Sequence, residues 1–585
     1  MSDRQALGPF ELLAFAAVAA LAVSGLLLWL AGQLAALVFA HTTLQVGATQ
    51  MGGVVVRTLL DPGHPAQAWP PAAQPGLPGP VGFYGCLFVV LAVVAALFGG
   101  GFHAWTSTRE RQPGRRPRRG QRAARWAGRR DLRPLRVRLS EVGQRIALGL
   151  AGRRLLAAEE RASVLVFGPT QSYKSSGLAI PALLEWDGPV VATSVKRDLL
   201  DAAMAARAAR GPVAVYDPTG SSGIPTDNWS PVASCSTWAS ARTMAGWLTA
   251  AARSRPGERA SDDFWDFAGA KLLGPLLLAA NLAGQTISTV LAWLEEQAQD
   301  EPMAILREHN QVDATRALLA TFARDDRQRS GIFSSAEKVL DVYADPKVAA
   351  SAAGFGLDPA ELLTGRATLF LVAPLHEQQR LAPLFVALVS SIVRAAQDRV
   401  AWTGRPLSPR LLLLLDEAAN IAALPDLDHL ASTVAGQGIQ LVSVFQDMAQ
   451  VQQRYGTHRA ATVVNNHAAT LALAGIKDPA TLDHLSRLMG DEAVAERSRT
   501  SSEAGGSSTT EHTAYRRLAP LEELRTMRRG SGVLLYGNLP PARVRLRPWF
   551  RNRHLRNLAA GTSGGHASTK VGLVRWLRAI RGGAA

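Results

Sequence analysis

The stretch FGPTQSYKSSGL, residues 167–178, constrains the fold of this chain more than any other segment. The apolar run directly before Gly168 predicts a buried strand, and the sequence after Lys174 predicts a helix. A strand, a loop and a helix in that order form the α/β unit that carries a phosphate-binding loop, whose pattern is G-x-x-x-x-G-K-[ST]. Gly168, Lys174 and Ser175 match this pattern, whereas Tyr173 stands where the second glycine belongs.

The matching residues predict a nucleotide site. Backbone N–H groups of such a loop, together with the positive end of the following helix, bind phosphate oxygens. We predict that Lys174 reaches the β- and γ-phosphates of ATP and that the Ser175 hydroxyl binds Mg²⁺. The other residues of the predicted nucleotide-binding set are Gly168, Pro169, Thr170, Gln171, Ser172, Tyr173 and Ser176.

Tyr173 is the departure from the pattern. Glycine is used where the backbone needs a positive φ or a close approach to a ligand, and an L-residue in that conformation costs about 1–2 kcal/mol. We therefore expect Tyr173 to keep helical or bridge-like dihedral angles in a working site. Taken alone, the loop also admits a chance match in a turn rich in glycine and serine.

A second motif supports the nucleotide interpretation. Five leucines, residues 411–415, precede Asp416 and Glu417, and such a continuous apolar run is typical of a strand buried on both faces of a parallel sheet. Ligands bind at the carboxyl ends of such strands. We predict that Asp416 binds Mg²⁺ and that Glu417 is the general base for water. The alternative is a core strand followed by a helix N-terminus, where acidic residues are favoured.

Gln446 ends a third apolar run, residues 439–445. A glutamine at this position can respond to the γ-phosphate of a bound nucleotide, and we include it among the predicted catalytic residues with Lys174 and Glu417. A polar residue at the end of a strand without any such role is the alternative.

Two apolar runs near the N-terminus predict membrane spans. Residues 10–40 contain only Glu11 as a charge, and residues 82–102 contain none, whereas about 20 apolar residues suffice to cross a bilayer. A cleaved signal is the alternative for the first run, but its apolar region would be only about 7–15 residues long. Residues 41–81, with seven prolines, are expected to form an irregular external loop.

The positive charge of the chain is concentrated beside the second span. Residues 109–138 contain 13 arginines against Glu110 and Asp131, a net charge of +11 out of +16 for the whole chain. By the positive-inside rule, this places the large C-terminal part in the cytoplasm. The run is also suited to contact anionic lipid. A nucleic-acid contact is the less favoured alternative, because Trp126 is the only aromatic residue there.

The pattern of elements predicts an α/β nucleotide-binding domain with an inserted all-helical domain, preceded by two transmembrane helices. Only two cysteines occur, which excludes a disulfide scaffold and a cysteine-built metal site. Residues 497–513 are expected to form a flexible polar loop. The predicted divisions are a membrane anchor at 1–103, a basic linker at 104–139, the nucleotide-binding domain at 140–235 and 346–550, the helical domain at 236–345 and a basic flexible tail at 551–585.

Several local sequences resemble the coupling ATPases of type IV secretion systems, the conjugative DNA-transfer family. The resemblance covers about residues 1–550. It includes the layout of two spans, a RecA-like motor and an inserted helical domain. The matching stretches are TSVKRDLLDAA, ARGPVAVYDPTG, DNWSP with Ser230 in place of an asparagine, DDFWDFAGAKLL, LDEAANIAALPDL, SVFQDMAQVQQRYG and the closing-strand sequence RPWF.

The resemblance implies a membrane-anchored homo-hexamer that hydrolyses ATP between subunits. It also implies a relaxase–DNA substrate, with the DNA single-stranded, and type IV secretion channel proteins as partners. An arginine finger from the neighbouring subunit is expected, with Arg454 and Arg380 as candidates. Two alternatives stay open: a coupling ATPase for protein substrates only, and a nucleotide-binding membrane scaffold without turnover. A double-strand DNA translocase is related to the motor but would normally add a C-terminal winged-helix domain, and the sequence shows no sign of one.

Overall fold

The computed structural model describes residues 9–109, 123–252, 260–354, 356–501 and 507–561. The chain forms two compact units, Met1–Arg122 and Ala123–Ala585. We describe each unit separately.

The described part of the first unit contains three helices, with two short 3₁₀ turns between the second helix and the third. Helix α1 packs on both of the others, and the side chains between them include Ala35, Met51, Trp69 and Phe83. The side-chain amide of Gln33 exchanges two hydrogen bonds with the backbone of Leu44, at 2.7 and 3.1 Å, and so fixes the chain where it leaves α1. The helices are α1 (Pro9–Ala40), α2 (Ala48–Leu60) and α3 (Pro80–Arg109).

Helix α2 corrects the prediction that residues 41–81 are irregular. Met51, Val54, Val55 and Thr58 are buried on one side of α2, at the three- and four-residue spacing of an amphipathic helix. All seven prolines lie after this helix ends at Leu60. Proline content over the whole segment therefore concealed a regular helix in its first half.

The second unit is built on a mixed sheet of eleven strands, in the order β2-β1-β13-β12-β9-β3-β8-β7-β4-β6-β5. The seven strands from β9 to β5 run parallel, and the four from β12 to β2 are antiparallel. Strands β10 and β11 form a separate hairpin. The strands are β1 (Ala147–Ala151), β2 (Arg154–Ala157), β3 (Val164–Phe167), β4 (Val190–Ser194), β5 (Val213–Tyr216), β6 (Thr368–Val372), β7 (Leu411–Leu415), β8 (Ile439–Phe445), β9 (Ala469–Leu473), β10 (Asp491–Ser501), β11 (Ser507–Arg517), β12 (Ser531–Tyr536) and β13 (Ala542–Arg545).

Helices cover both faces of this sheet, because its parallel strands are apolar on both faces. All residues of β3, β4, β6, β7 and β8 are buried. The helices are α4 (Ile180–Glu185), α5 (Asp198–Ala208), α6 (Trp238–Ala252), α7 (Ala260–Leu282), α8 (Ile287–Glu295), α9 (Asp300–Glu308), α10 (Val312–Phe322), α11 (Asp326–Leu340), α12 (Pro346–Ser351), α13 (Pro359–Leu362), α14 (Gln378–Thr403), α15 (Leu427–Thr433), α16 (Met448–Asn466), α17 (Pro479–Met489), α18 (Leu521–Arg525) and α19 (Arg553–Ala559).

The helices from α6 to α13 form a long insertion between the neighbouring strands β5 and β6. Within the described residues of this insertion, every regular element is a helix or a 3₁₀ turn. Helix α7 packs against α6, α9, α10 and α11, and α6 packs in turn against α14. The fold is therefore an α/β sheet interrupted by a helical insertion, which is the predicted fold class.

Helix α14 is as long and apolar as a membrane span, but it belongs to the core. Its apolar window is 72% buried inside the second unit, and Leu384, Phe385 and Leu388 are fully buried. By contrast, the apolar segment Ala22–Ala40 of α1 is only 28% buried. The apolar part of α3 with described side chains is Pro80–Ala95.

Other segments also differ from the sequence expectations. Residues 497–501 and 507–513 of the expected flexible loop lie in β10 and β11, which are joined by cross-strand pairs such as Glu496 with His512, and residues 502–506 lie outside the described residues. The sequence RPWF enters a 3₁₀ turn, Trp549–Arg551, instead of a strand. Residues 123–139, assigned to the linker, pack into the second unit through buried Leu132 and Leu135. The predicted flexible tail, residues 551–585, begins with helix α19, whose Leu555 is buried in the second unit, and its part beyond residue 561 lies outside the described residues.

Candidate functional site

Three loops meet at the carboxyl edge of the parallel sheet. Strand β8 lies between β3 and β7, with Phe167 paired to Phe445 and Leu415 paired to Ser443. The phosphate-loop sequence follows β3, the Asp416–Glu417 pair follows β7, and Gln446 follows β8. Neighbouring strand ends thus bring together the three motifs that the sequence analysis selected.

The phosphate-loop segment leaves β3 through Gly168, whose N–H donates to the Phe445 carbonyl at 3.0 Å. A Cβ atom at this position would lie 2.8 Å from the Ser172 hydroxyl oxygen and 3.0 Å from Leu473 Cδ1, so a larger residue would require these side chains to shift. The Ser172 hydroxyl donates to the Pro169 carbonyl at 2.9 Å, which closes the turn. Thr170 and Gln171 are exposed at its tip.

Lys174 and Ser175 face the two carboxylates across the strand ends. The Ser175 hydroxyl donates to Asp416 Oδ2 at 2.9 Å, and Lys174 Nζ lies 3.6 Å from Glu417 Oε1. Ser176 follows in the same π-helical turn, Ser175–Ala179, which leads into α4. The structure therefore brings four predicted site residues into one cluster: Lys174, Ser175, Asp416 and Glu417.

The cluster contains buried polar atoms that lack hydrogen-bond partners. Among the described residues, neither Lys174 Nζ nor Asp416 Oδ1 has one, although such buried groups are normally satisfied. Phosphate oxygens suit an ammonium that lies 3.6 Å from Glu417 but makes no hydrogen bond, and a divalent cation suits carboxylate and hydroxyl oxygens. The residues present therefore fit a nucleotide with Mg²⁺.

The electrostatics of Asp416 follow from its burial. Burial raises the pKa of Asp416 to about 6, while the Lys174 ammonium and the Ser175 hydroxyl act in the opposite direction. The Thr193 hydroxyl, at the end of β4, donates to the Asp416 carbonyl at 3.1 Å and fixes the backbone of this residue. A bound cation is the partner that a buried carboxylate of this kind lacks.

Glu417 is held in a conformation that most residues avoid. Its φ angle is 64°, in the left-handed region that costs about 1–3 kcal/mol for a residue with a side chain. The Asn420 side-chain amide donates to Glu417 Oε2 at 3.4 Å, and its carboxylate is mostly buried. Backbone strain of this kind concentrates at functional sites.

The expectation for Tyr173 is wrong in its backbone conformation. Its φ angle is 71°, and that of Gln171 is 64°, so the loop keeps the left-handed geometry for which glycine is ordinarily used. The Tyr173 carbonyl accepts a hydrogen bond from the Gly177 N–H at 2.7 Å, at the start of the helical turn that follows the loop. The loop has therefore kept its shape, and the tyrosine bears the strain.

The Tyr173 ring lies against a group of residues that the sequence analysis missed. The Arg529 guanidinium is 4.4 Å from the ring centroid, and the Phe550 ring packs edge-on at 6.0 Å. Arg529 Nε also donates to the Gln171 carbonyl at 2.6 Å. We call Arg529, Phe550 and Arg551 the tyrosine cage, since Arg551 also lies near the ring, at 5.8 Å. Nothing in the local sequence links these residues to a loop more than 350 positions away.

Gln446 and the two candidate arginine fingers have internal contacts. The Gln446 N–H donates to the Gln450 side chain at 2.8 Å, and the residue is half-buried beside the cluster. Arg380 is paired with Glu377 and Asp345. Arg454 donates to the Ala423 carbonyl at 3.3 Å. A role for either arginine in a neighbouring subunit stays a prediction.

Comparison with known proteins gives a consistent result. A family model described as "Type IV secretory system Conjugative DNA transfer" matches residues 137–571. The conjugal transfer protein TraG of Escherichia coli is 28% identical over 364 residues, which are 58% of this chain and 56% of that protein. TraG of Rhizobium radiobacter is 26% identical over 66% of this chain and 62% of its own length. The chain thus spans less than two thirds of the length of these relatives.

A solved structure shows the same fold. The bacterial conjugative coupling protein TrwBΔN70 superposes with a TM-score of 0.58 at 20% identity, over 74% of this chain and 95% of that one. This similarity places the RecA-like sheet and its helical insertion in a known architecture. With the family model covering most of the sequence, the chain belongs to the family of type IV secretory system proteins for conjugative DNA transfer.

Proposed function

We propose that this protein is a membrane-anchored, ATP-dependent coupling protein that recruits a relaxase–DNA substrate and drives the DNA into a type IV secretion channel. The observation that carries the proposal is the convergence of Lys174, Ser175, Asp416 and Glu417 on one buried cluster with unsatisfied polar atoms. A related coupling protein, TrwB, has been solved with an ATP analogue and with ADP and Mg²⁺. That precedent supports the same ligands here.

Each residue of the cluster has one task in the proposed reaction. Lys174 neutralises phosphate charge, and the loop N–H groups position the phosphates. Ser175 and Asp416 hold Mg²⁺, which would supply charge neutralisation at the phosphates. Glu417 accepts the proton of the attacking water, for which a mostly buried carboxylate close to a cation is well placed.

The first unit supplies the membrane attachment in this proposal. Large apolar side chains of α1 stay exposed in the unit, among them Leu26, Leu37 and Phe39, and so do Phe88 and Val93 of α3. Exposed apolar surface on two long helices fits lipid better than water. The arginine run after α3 then directs the second unit to the cytoplasm.

The proposed assembly is a homo-hexamer around a DNA path. In this arrangement the nucleotide lies between subunits, and an arginine of one subunit completes the site of its neighbour. Arg454 and Arg380 remain the candidates. The helical insertion, residues 236–345 in the proposed division, meets the substrate complex.

The test is ATP hydrolysis by the full-length chain in detergent, with and without single-stranded DNA. The proposal predicts turnover that DNA stimulates and that high salt suppresses, because DNA binding releases counterions. Turnover that responds to protein substrates but not to DNA would support secretion of proteins only. Tight nucleotide binding without any turnover would support a scaffold and contradict the motor.

A further inference from the structure

A basic cleft at the edge of the large sheet has no role in the proposed ATPase. It has a volume of about 1010 Å³ and lies where the β1–β2 hairpin meets the segment before it. Strand β2 is the edge strand of the sheet. Its lining residues include Arg136, Arg138, Arg153 and Arg154.

Five arginines line this cleft, and one of them, Arg547, is paired with Glu185. In the described parts of the chain, none of the other four makes an ion pair, because neighbouring carboxylates pair elsewhere, as Asp131 does with Arg125. The one carboxylate in the lining, Glu141, accepts a backbone N–H of Arg138 at 3.0 Å. The four unpaired arginines therefore outnumber the single carboxylate, and the cleft keeps a net positive charge.

The Arg136 guanidinium is repelled by other arginines, one of which, Arg154, also lines the cleft. Desolvation, together with the charges of Arg154, Arg129 and Arg133, lowers the pKa of Arg136. Arg153 and Arg154 lie at the tip of the hairpin, after Gly152, and both are exposed. An anion bound here would relieve this repulsion.

The floor of the cleft is apolar. Leu155 is buried and packs with half-buried Val137 and Leu150 in the lining, and Leu139, also in the lining, is 53% exposed to solvent. A basic rim around an apolar floor suits an amphiphile with a phosphate head group and an acyl chain. Surfaces for single-stranded nucleic acid instead use aromatic side chains on which bases stack, and none of the described lining residues is aromatic.

We propose that this cleft binds the head group of an anionic phospholipid at the cytoplasmic membrane surface. This proposal rests on the proposed function, because it requires the membrane attachment described there. The sequence supports the choice of lipid, because residues 110–122 connect the end of α3 to the segment that forms the cleft and contain six arginines. Tethering to a membrane raises the effective concentration of lipid at such a site.

The test measures lipid binding by native mass spectrometry on the full-length chain in a non-ionic detergent, without nucleotide. The probes are dioctanoyl phosphatidylglycerol, dioctanoyl phosphatidylcholine, inorganic phosphate and a single-stranded oligothymidine. The wild type should bind phosphatidylglycerol in preference to phosphatidylcholine. Combined Arg138→Gln, Arg153→Gln and Arg154→Gln substitutions should weaken binding roughly 100-fold, at about fivefold per basic residue near an anionic surface.

A matched control removes the same charge elsewhere. Arg307, Arg327 and Arg405 are exposed, make no ion pair within the described residues and lie outside the cleft. Changing all three to glutamine should leave phosphatidylglycerol binding within about twofold of the wild type, since surface charges beyond a Debye length of about 10 Å are screened. An equal loss in the control would overturn the proposal.

Two further variants separate the possible sources of the anion. Leu139→Ser should weaken binding of phosphatidylglycerol but not of inorganic phosphate, because only the lipid uses the apolar floor. A lipid site would be contradicted if inorganic phosphate competed as well as the lipid. It would also be contradicted if the arginine substitutions abolished binding of oligothymidine but not of phosphatidylglycerol. Lys174→Ala should bind phosphatidylglycerol like the wild type, so failure of the proposed ATPase leaves this test intact.

Discussion

Replacing Tyr173 tests whether the phosphate-loop segment is held in a strained shape by the tyrosine cage. A residue with a Cβ atom at a φ of 71° costs about 1–2 kcal/mol. The Arg529 guanidinium over the ring contributes about 0.5–1 kcal/mol, and the edge-on Phe550 ring contributes about 0.5–1.5 kcal/mol. Together the two contacts contribute about 1–2.5 kcal/mol, which is similar to the strain of about 1–2 kcal/mol, so the tyrosine cage offsets the strain.

Alanine and glycine at this position separate the two contributions. Both remove the ring, but only alanine keeps a Cβ atom in the left-handed region. In the Tyr173→Ala protein the loop relaxes, and the strain of about 1–2 kcal/mol adds to the cost of nucleotide binding, which lowers the apparent affinity about 5- to 30-fold. Tyr173→Gly carries no such strain and should bind close to the wild-type affinity.

The assay is equilibrium binding of a fluorescent ADP analogue with Mg²⁺ to the full-length protein. Tyr173→Phe is the control, because it keeps the ring inside the cage. Arg529→Ala should weaken binding in the wild-type background more than in the Tyr173→Gly background, with a coupling of about 1 kcal/mol. Equal affinities of the alanine and glycine variants, or no coupling to Arg529, would refute the reasoning.

Two other features of the structure give predictions. Glu185→Gln leaves the Arg547 guanidinium, buried and held by Glu185 at 2.6 and 3.0 Å, without its counter-charge and should lower the free energy of unfolding by about 3–5 kcal/mol. The double variant Glu185→Leu, Arg547→Met should be nearly neutral by the same denaturation assay, and a large loss there would contradict this explanation. Buried His467 bonds to Ser443 and the Val463 carbonyl, and burial lowers the pKa of His467 to about 4. The unfolded chain takes up this proton near pH 6.5 and the folded chain only near pH 4, so about 3 kcal/mol of stability should be lost as the pH falls through this window. His467→Gln should flatten that part of the profile of unfolding temperature against pH, and an unchanged slope would contradict the assignment.

The strands and the cluster at their ends were predictable from local sequence. A continuous apolar run such as Leu411–Leu415 is typical of a strand in the middle of a parallel sheet, and the structure has β7 at those residues. Because the carboxyl ends of parallel strands share one edge, Ser175, Asp416 and Glu417 were expected to meet, and they do.

Local sequence could not predict the interactions between residues that are far apart in the chain. The left-handed Tyr173 is stabilised by Arg529 and Phe550, and no periodicity relates these positions. The β10–β11 hairpin has few large apolar residues in its sequence, and cross-strand pairs such as Glu492 with Arg516 join its two strands. In both cases the deciding interactions join residues far apart or strands without a hydrophobic signature.

The most direct test of the proposed site compares nucleotide binding with turnover in Lys174→Ala and Glu417→Gln. If Lys174 binds phosphate and Glu417 activates water, Glu417→Gln should bind ATP with Mg²⁺ like the wild type while turnover falls at least about 100-fold. Lys174→Ala should lose binding and turnover together. Wild-type turnover in Glu417→Gln, or unchanged ATP binding in Lys174→Ala, would contradict the assignment of the cluster as an ATPase site.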